Sequence, residues 1–133
     1  MLDPKKFSFN GKITNRKDLL LQLNMPNNTS DFELIKAAYL KWALALNLHV
    51  AGDYAIVLPL VEKQQLFLCL SAFSSHQLFY KNDNRMMTIS HVLADFSHQA
   101  NVDTLAINQL LHWQYIFSPN TLFKDVSTLS NGQ

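Results

Sequence analysis

Large apolar residues recur along this chain with two different periods, and the changes of period mark its elements. Phe7-Ser8-Phe9-Asn10-Gly11-Lys12-Ile13 alternates apolar with polar positions, the pattern of a half-buried strand, interrupted by an Asn-Gly pair that alone signals a turn. Asn15 then stands where a helix cap belongs, ahead of Leu19, Leu20 and Leu23 at helical spacing. Met25-Pro26-Asn27-Asn28 ends that short helix. Ser30-Asp31-Phe32-Glu33 has the form of a capping box, because the Ser30 hydroxyl accepts from the Glu33 N–H while the Glu33 carboxylate reaches back to the Ser30 N–H. Leu34, Ile35, Ala38, Trp42, Ala45 and Leu46 continue at i, i+3, i+4 steps and predict one core-facing helix of about four turns.

His49-Val50-Ala51-Gly52-Asp53 leads out of that helix, with Gly52 free to take a positive φ. Tyr54 to Leu60 and Leu66 to Leu70 are apolar runs separated by Glu62-Lys63-Gln64-Gln65, which predicts a hairpin buried on both faces. Pro59 favours an edge or a bulge there. A second hairpin is expected from Leu78-Phe79-Tyr80, a turn at Lys81-Asn82-Asp83-Asn84, and Met86 to Ser90. His91 to His98 reads as a short helix, and Asp103 caps a further one carrying Leu105, Leu110, Leu111 and Trp113. Pro119 falls in the loop beyond. Helices and antiparallel hairpins mingle without a regular strand–helix rhythm, so the class is α+β. No repeat or low-complexity stretch divides the chain, and residues 1–133 are expected to form a single domain.

Composition permits this: 133 residues with a 48% hydrophobic and 16% charged share can bury a core. A net charge of +1 gives no reason to expect nucleic acid or membrane as a partner. Lys5, Lys6, Lys12, Arg16 and Lys17 do cluster near the start, but without interleaved exposed aromatics they read as solvated surface. The lone Cys69 excludes an internal disulfide and fits a reducing compartment. The longest apolar run, Tyr54 to Val61, is far short of the ~20 residues needed to span a bilayer. Met1 to Lys6 does not open a signal peptide, so the cytoplasm is the expected location.

Candidate chemistry is sparse. Asn10 and Gly11 set a carboxamide beside a main-chain N–H, a pair of donors suited to a developing oxyanion. His49, His76, His91, His98 and His112 never pair with a cysteine at metal-ligand spacing, and the three glycines are too dispersed for a phosphate loop, so neither metal nor cofactor is expected. Ser74-Ser75-His76 reads as a loop rather than a nucleophile with its base. Cys69, inside an apolar run, is expected to have a raised pKa.

Phe9-Asn10-Gly11-Lys12-Ile13-Thr14-Asn15-Arg16 resembles the Phe-Asn-Gly-Glu-Ile-Tyr-Asn motif of the N-terminal glutamine amidotransferase domain of asparagine synthetase-like enzymes. Ser30-Asp31 with its helix is similar to that family's Ser-Asp-x-Glu helix, and Gly52-Asp53-Tyr54-Ala55 to its Gly-Asp/Met-Phe-Ala strand entry. Leu78-Phe79-Tyr80 resembles the Pro-Leu-Tyr-Tyr strand, Ile89-Ser90-His91 the Ala-Ser-Glu segment, and Thr121-Leu122-Phe123 through Gly132 the end of the domain. The resemblance implies an αββα sandwich of the N-terminal-nucleophile hydrolase type, incomplete here. It implies that Asn10 and Gly11 form the oxyanion hole and that Asp31 holds the α-amino group of glutamine.

Departures from the family pattern shape the expected function. In such enzymes an N-terminal Cys is the nucleophile and its own amine the base; residue 2 here is Leu, and the family's first strands and ATP-binding synthetase domain have no counterpart in this sequence. Lys12 replaces the motif Glu, and Ser71 to Gln77 keeps none of the marked residues of Arg-Asp-x-x-Gly-x-x-Pro. The leading expectation is a catalytically silent amidotransferase-like domain, a structural or docking module for an asparagine synthetase-like ligase, present as a synthetase domain or a separate protein partner. The alternatives are an active glutamine-hydrolysing domain whose nucleophile is supplied elsewhere, and an amino-acid sensor that binds glutamine through Asp31. An exposed sheet edge left by the missing strands would favour a homodimer.

Overall fold

Tyr54, Ala55, Ile56, Val57 and Leu58 are all buried, and five successive buried residues mean that the strand carrying them is covered on both faces. The computed structural model, which describes residues 1–84, 86–98 and 100–133, makes this segment the centre of a three-stranded antiparallel sheet. β1 (Ser8–Ile13) pairs with β2 (Gly52–Leu60), and β2 with β3 (Gln65–Leu70). The fold is α+β, with a second three-stranded antiparallel sheet further along the chain. Lys5–His76 with Asn131–Gln133 forms one compact unit, and Met1–Pro4 with Gln77–Ser130 forms the other.

In the first unit the predicted β2–β3 hairpin is present, closed by a tight turn at Val61–Lys63 and by Gln64 at φ 49. Pro59 sits in the central strand rather than at an outer edge. The Ser71 N–H bonds the Tyr54 carbonyl at 3.1 Å, so Tyr54, Ile56 and Leu58 face β3 and Pro59 faces the β1 side. There β1 has already ended, its Ser8 lying opposite Val57, so the missing N–H of Pro59 costs no ladder bond.

Two helices cover this sheet, α1 (Arg16–Gln22) and α2 (Asp31–Trp42), burying Leu19, Leu20, Leu34, Ile35 and Ala38. The capping box forms as predicted, with the Ser30 hydroxyl accepting from Glu33 and the Glu33 carboxylate accepting from Ser30. The single long helix expected through Leu46 does not form. Ala43 takes φ 48 and ends α2; a tight turn at Ala43–Ala45 and the short α3 (Leu46–His49) follow. The break swings Leu46 fully inside, leaves Leu44 82% exposed, and stacks Trp42 on His49 at 4.4 Å. Its gain is a rapid return to the sheet through the buried Val50. Tyr54, Ile56 and Leu58 join the helix residues in one core, each fully buried side chain worth roughly 1.5–3 kcal/mol relative to exposure.

In the second unit β4 (Phe79–Asp83) lies between β5 (Met86–Ser90) and β6 (Val126–Thr128). Lys81, Asn82 and Asp83, expected in a turn, instead extend the strand and pair with Thr88, Met87 and Met86. Leu2 adds a bridge to β5, its N–H bonding the Ile89 carbonyl at 2.8 Å. The helix expected from His91 to His98 shrinks to a turn at Leu93–Phe96, and His91 and His98 lie outside it. Asp103 caps α4 (Thr104–Trp113) by accepting from the Leu105 N–H at 3.0 Å. Most apolar residues of α4 face outward: Leu105, Leu111 and Trp113 are exposed, and Ala106 alone in that helix is buried. Among the described residues no helix is long and apolar enough to cross a membrane.

Candidate functional site

The Asn-Gly pair is not a turn. Asn10 and Gly11 lie in the middle of β1, opposite Ala55 and Tyr54, and the strand passes through Gly11 only because Gly11 takes φ +124. A Cβ built there would stand 2.1 Å from the Asp53 carbonyl oxygen and 2.7 Å from the Tyr54 Cα, so no other residue fits this close approach of two backbones. Gly52, facing Ile13 in the same ladder, has the same restriction, with a Cβ 2.1 Å from the Lys12 carbonyl oxygen.

The ladder pattern sets which side of β1 the Gly11 N–H faces. The Thr14 N–H donates to the Ala51 carbonyl at 2.8 Å; in an antiparallel ladder the inward-facing groups alternate, so Lys12 and Asn10 also bond toward β2. Gly11 therefore presents its N–H to the opposite side, and β1 is the outer strand of its sheet. Asn10 and Gly11 are both exposed, as is Lys12 beside them. Asn10 and Gly11 are thus successive exposed residues on the outer strand of this sheet, a side-chain carboxamide followed by a main-chain N–H.

Asn15, expected to cap α1, makes no cap hydrogen bond. Its amide instead donates to the His49 carbonyl at 2.8 Å and accepts from the Ala51 N–H at 2.9 Å, locking the exit of β1 to the entry of β2. Asp31 is the first residue of α2, where Arg16 from α1 bonds its carboxylate and also the Thr29 carbonyl. Asp31 is therefore tied through Arg16 to the segment leaving β1. It makes no hydrogen bond to Asn10 or Gly11.

Cys69 lies on β3 opposite Ile56, with β2 between it and β1. Two strand spacings, roughly 10 Å, separate it from the Gly11 edge. It is 2% exposed, and burial pushes its thiol pKa up to about 12, so the thiolate that chemistry would require is scarce at neutral pH.

Sequence reasoning missed Asp53. Its carboxylate accepts from the Ser75 hydroxyl at 2.5 Å, the Ser75 N–H at 3.0 Å and the Ser74 hydroxyl at 3.3 Å, with His76 Nε2 at 3.8 Å. The Ser75 hydroxyl, more than any other neighbour, holds the Asp53 pKa below its ordinary value. Because that hydroxyl donates to the carboxylate and not to the imidazole, the cluster is a loop clamp rather than a nucleophile with its base. The available signal was the pairing of β2 with β3, which carries Ser71 alongside Tyr54 and so the next loop alongside Asp53. Among the described residues no three His, Cys, Asp or Glu gather as a metal site.

Comparison with known families finds that a model of the glutamine amidotransferase domain matches residues 4–133. No curated protein matches the chain.

Proposed function

The chain belongs to the glutamine amidotransferase domain family, and on that premise we propose that it is an asparagine synthetase-like, N-terminal-nucleophile-type domain that receives an amide at the β1 edge without cleaving it by its own side chains. Asn10 and the Gly11 N–H receive the carboxamide oxygen, and Asp31 receives the α-ammonium of glutamine. Its role is that of a docking module for an ATP-dependent, asparagine synthetase-like amide ligase in the cytoplasm. One observation carries the reading: the donor edge is open, while Cys69, the one thiol in the sequence, is buried two strands away with its pKa raised to about 12.

The Arg16–Asp31 ion pair supports the same reading. A carboxylate already held by a guanidinium takes an ammonium only by competition, which weakens substrate capture. A second reading is favoured by the openness of the Gly11 edge, namely that a nucleophile from sequence beyond this chain or from another chain completes the site.

Ammonia release from glutamine by the purified chain separates these readings. The expected result is no release above that of an Asn10→Ala variant, together with glutamine binding in calorimetry that Asp31→Ala abolishes. Turnover that Asn10→Ala removes would overturn catalytic silence. Glutamine binding without association with any asparagine synthetase-like ligase would replace docking by sensing.

A further inference from the structure

A groove of about 630 Å³ lies in the first unit, between α2 and the far end of β2 with the turn after it. α2 carries two stripes. Leu34, Ile35 and Ala38 face the core, while Phe32, Lys36, Tyr39 and Leu40 follow one another at helical steps along the groove. Leu40 is 74% exposed, and Val61 on the opposite wall is 79% exposed. Exposed apolar side chains occur elsewhere on this chain, but here Phe32, Leu40, Leu60 and Val61 line one groove together, and it is a contiguous apolar patch rather than single exposed residues that marks a partner site. Phe7 packs edge-on against Phe32 at 5.1 Å between ring centroids, which gives the groove a firm aromatic end.

Its charge is one-sided. Lys5, Lys6, Lys36 and Lys63 line the groove with Glu62 as the one acidic residue, in a chain whose eleven basic and ten acidic residues nearly balance. Lys36 Nζ lies 5.9 Å from the Phe32 ring centroid, so its stem covers apolar surface while its charge stays at the rim. A small-molecule site fixes its ligand with a few rigidly placed polar groups. Here the charges ride on flexible four-carbon stems around an apolar trough, which suits a partner whose charges are spread along a segment.

We propose that this groove docks an amphipathic helix of a partner protein, its apolar stripe set against Phe32, Tyr39, Leu40, Leu60 and Val61 and its flanks acidic. Apolar anchors at i, i+4 and i+7 of such a helix fill the trough, and Asp or Glu beside them meet Lys6, Lys36 and Lys63. The inference rests on the docking reading only in expecting a protein partner, and it adds that partner's chemistry.

The test uses the full chain and labelled helical peptides of about 18 residues with Leu and Phe anchors, one set flanked by Glu and a matching set by Lys, with fluorescence anisotropy as the readout. The expected result is binding of the Glu peptides, at least about tenfold weaker binding of the Lys peptides, and a several-fold loss as salt rises. Lys36→Glu combined with Lys63→Glu should weaken the Glu peptides by about tenfold or more, and so should Leu40→Asp alone. These are exposed or rim positions, and circular dichroism verifies that each variant is folded. Equal binding of both sets, indifference to Leu40→Asp, or no binding of the Glu peptides at millimolar concentration overturns the proposal. Oleate filling the groove where the peptides do not would assign it to a small amphiphile instead. Ammonia release and glutamine calorimetry do not involve these residues. A ligase that still associates with the Lys36/Lys63 variant would refute the groove while sparing the docking reading.

Discussion

Gly11 and Tyr54 face each other across β1 and β2 so closely that a Cβ on Gly11 would lie 2.7 Å from the Tyr54 Cα. This contact does two things together. It brings the two strands into register at the point where Tyr54 enters the core, its hydroxyl donating to the Val50 carbonyl at 2.9 Å, and it leaves no room for a side chain at position 11.

Gly11→Ala is therefore expected to destabilise the fold by about 3 kcal/mol or more, since a side chain in this backbone region is strained and here also strikes the facing strand. Gly132→Ala is the control. Gly132 also has a positive φ, +78, but its nearest neighbour to an added Cβ is 3.8 Å away, so the cost there is only about 1–2 kcal/mol. Urea denaturation of both variants checks the contrast, and equal losses would contradict it.

Arg16→Ala removes the bonds that join α1 to the start of α2, at Asp31 and at the Thr29 carbonyl. A loss of about 1–2 kcal/mol in stability is expected. If Asp31 receives the ammonium of glutamine, the same variant binds glutamine several-fold more tightly, because the competing guanidinium has gone. Calorimetry on the folded variant reads this directly. Tighter binding paired with lower stability is an outcome that a purely structural Arg16 would not produce.

Ser30→Ala breaks the capping box at the α2 N-terminus and is expected to cost about 1 kcal/mol. Thermal unfolding followed at a helix-sensitive wavelength measures it, and an unchanged midpoint would show that packing alone holds the helix start.

Asp53 gives a pH dependence of known sign. Its folded-state pKa is below the ordinary 3.8, chiefly through the Ser75 hydroxyl, so the folded state favours the charged carboxylate. That contribution is fully present above pH 4 or so and is lost as the pH falls through the lowered value. Acid unfolding of Asp53→Asn should accordingly show a shallower loss of stability below about pH 4 than the parent chain. Ser75→Ala is expected to act in the same direction, though more weakly.

Cys69 should resist thiol reagents while the protein is folded. With a pKa of about 12, the thiolate fraction at pH 8 is on the order of one in ten thousand, and the 2% exposure blocks access further. Reaction with a disulfide reagent is expected to be complete in denaturant and very slow without it. Rapid labelling of the native chain would reopen Cys69 as a reactive group.

Where local chemistry is self-sufficient, the sequence was legible. The Ser30–Glu33 capping box needs only residues three apart, the Asp103 cap only two, and the β2–β3 hairpin only two apolar runs and a polar turn; all three are present. The α+β class followed from the order of such pieces, and the burial of Cys69 from its apolar neighbours. Other features depended on partners far along the chain. Asn10-Gly11 signals a turn by itself, and only β2, more than forty residues on, makes it mid-strand. Asn15 leaves its cap role for the His49 and Ala51 backbone, α2 stops at Ala43, whose φ of 48 no helical period signals, and Asp53 acquires its hydroxyl donors from Ser74 and Ser75, twenty-one and twenty-two residues away. What the residues alone settle are the self-contained caps and apolar runs, because near neighbours satisfy them. Turns, cap partners and the polar groups left facing outward depend on the assembled fold, because a distant strand or helix satisfies some of these groups first.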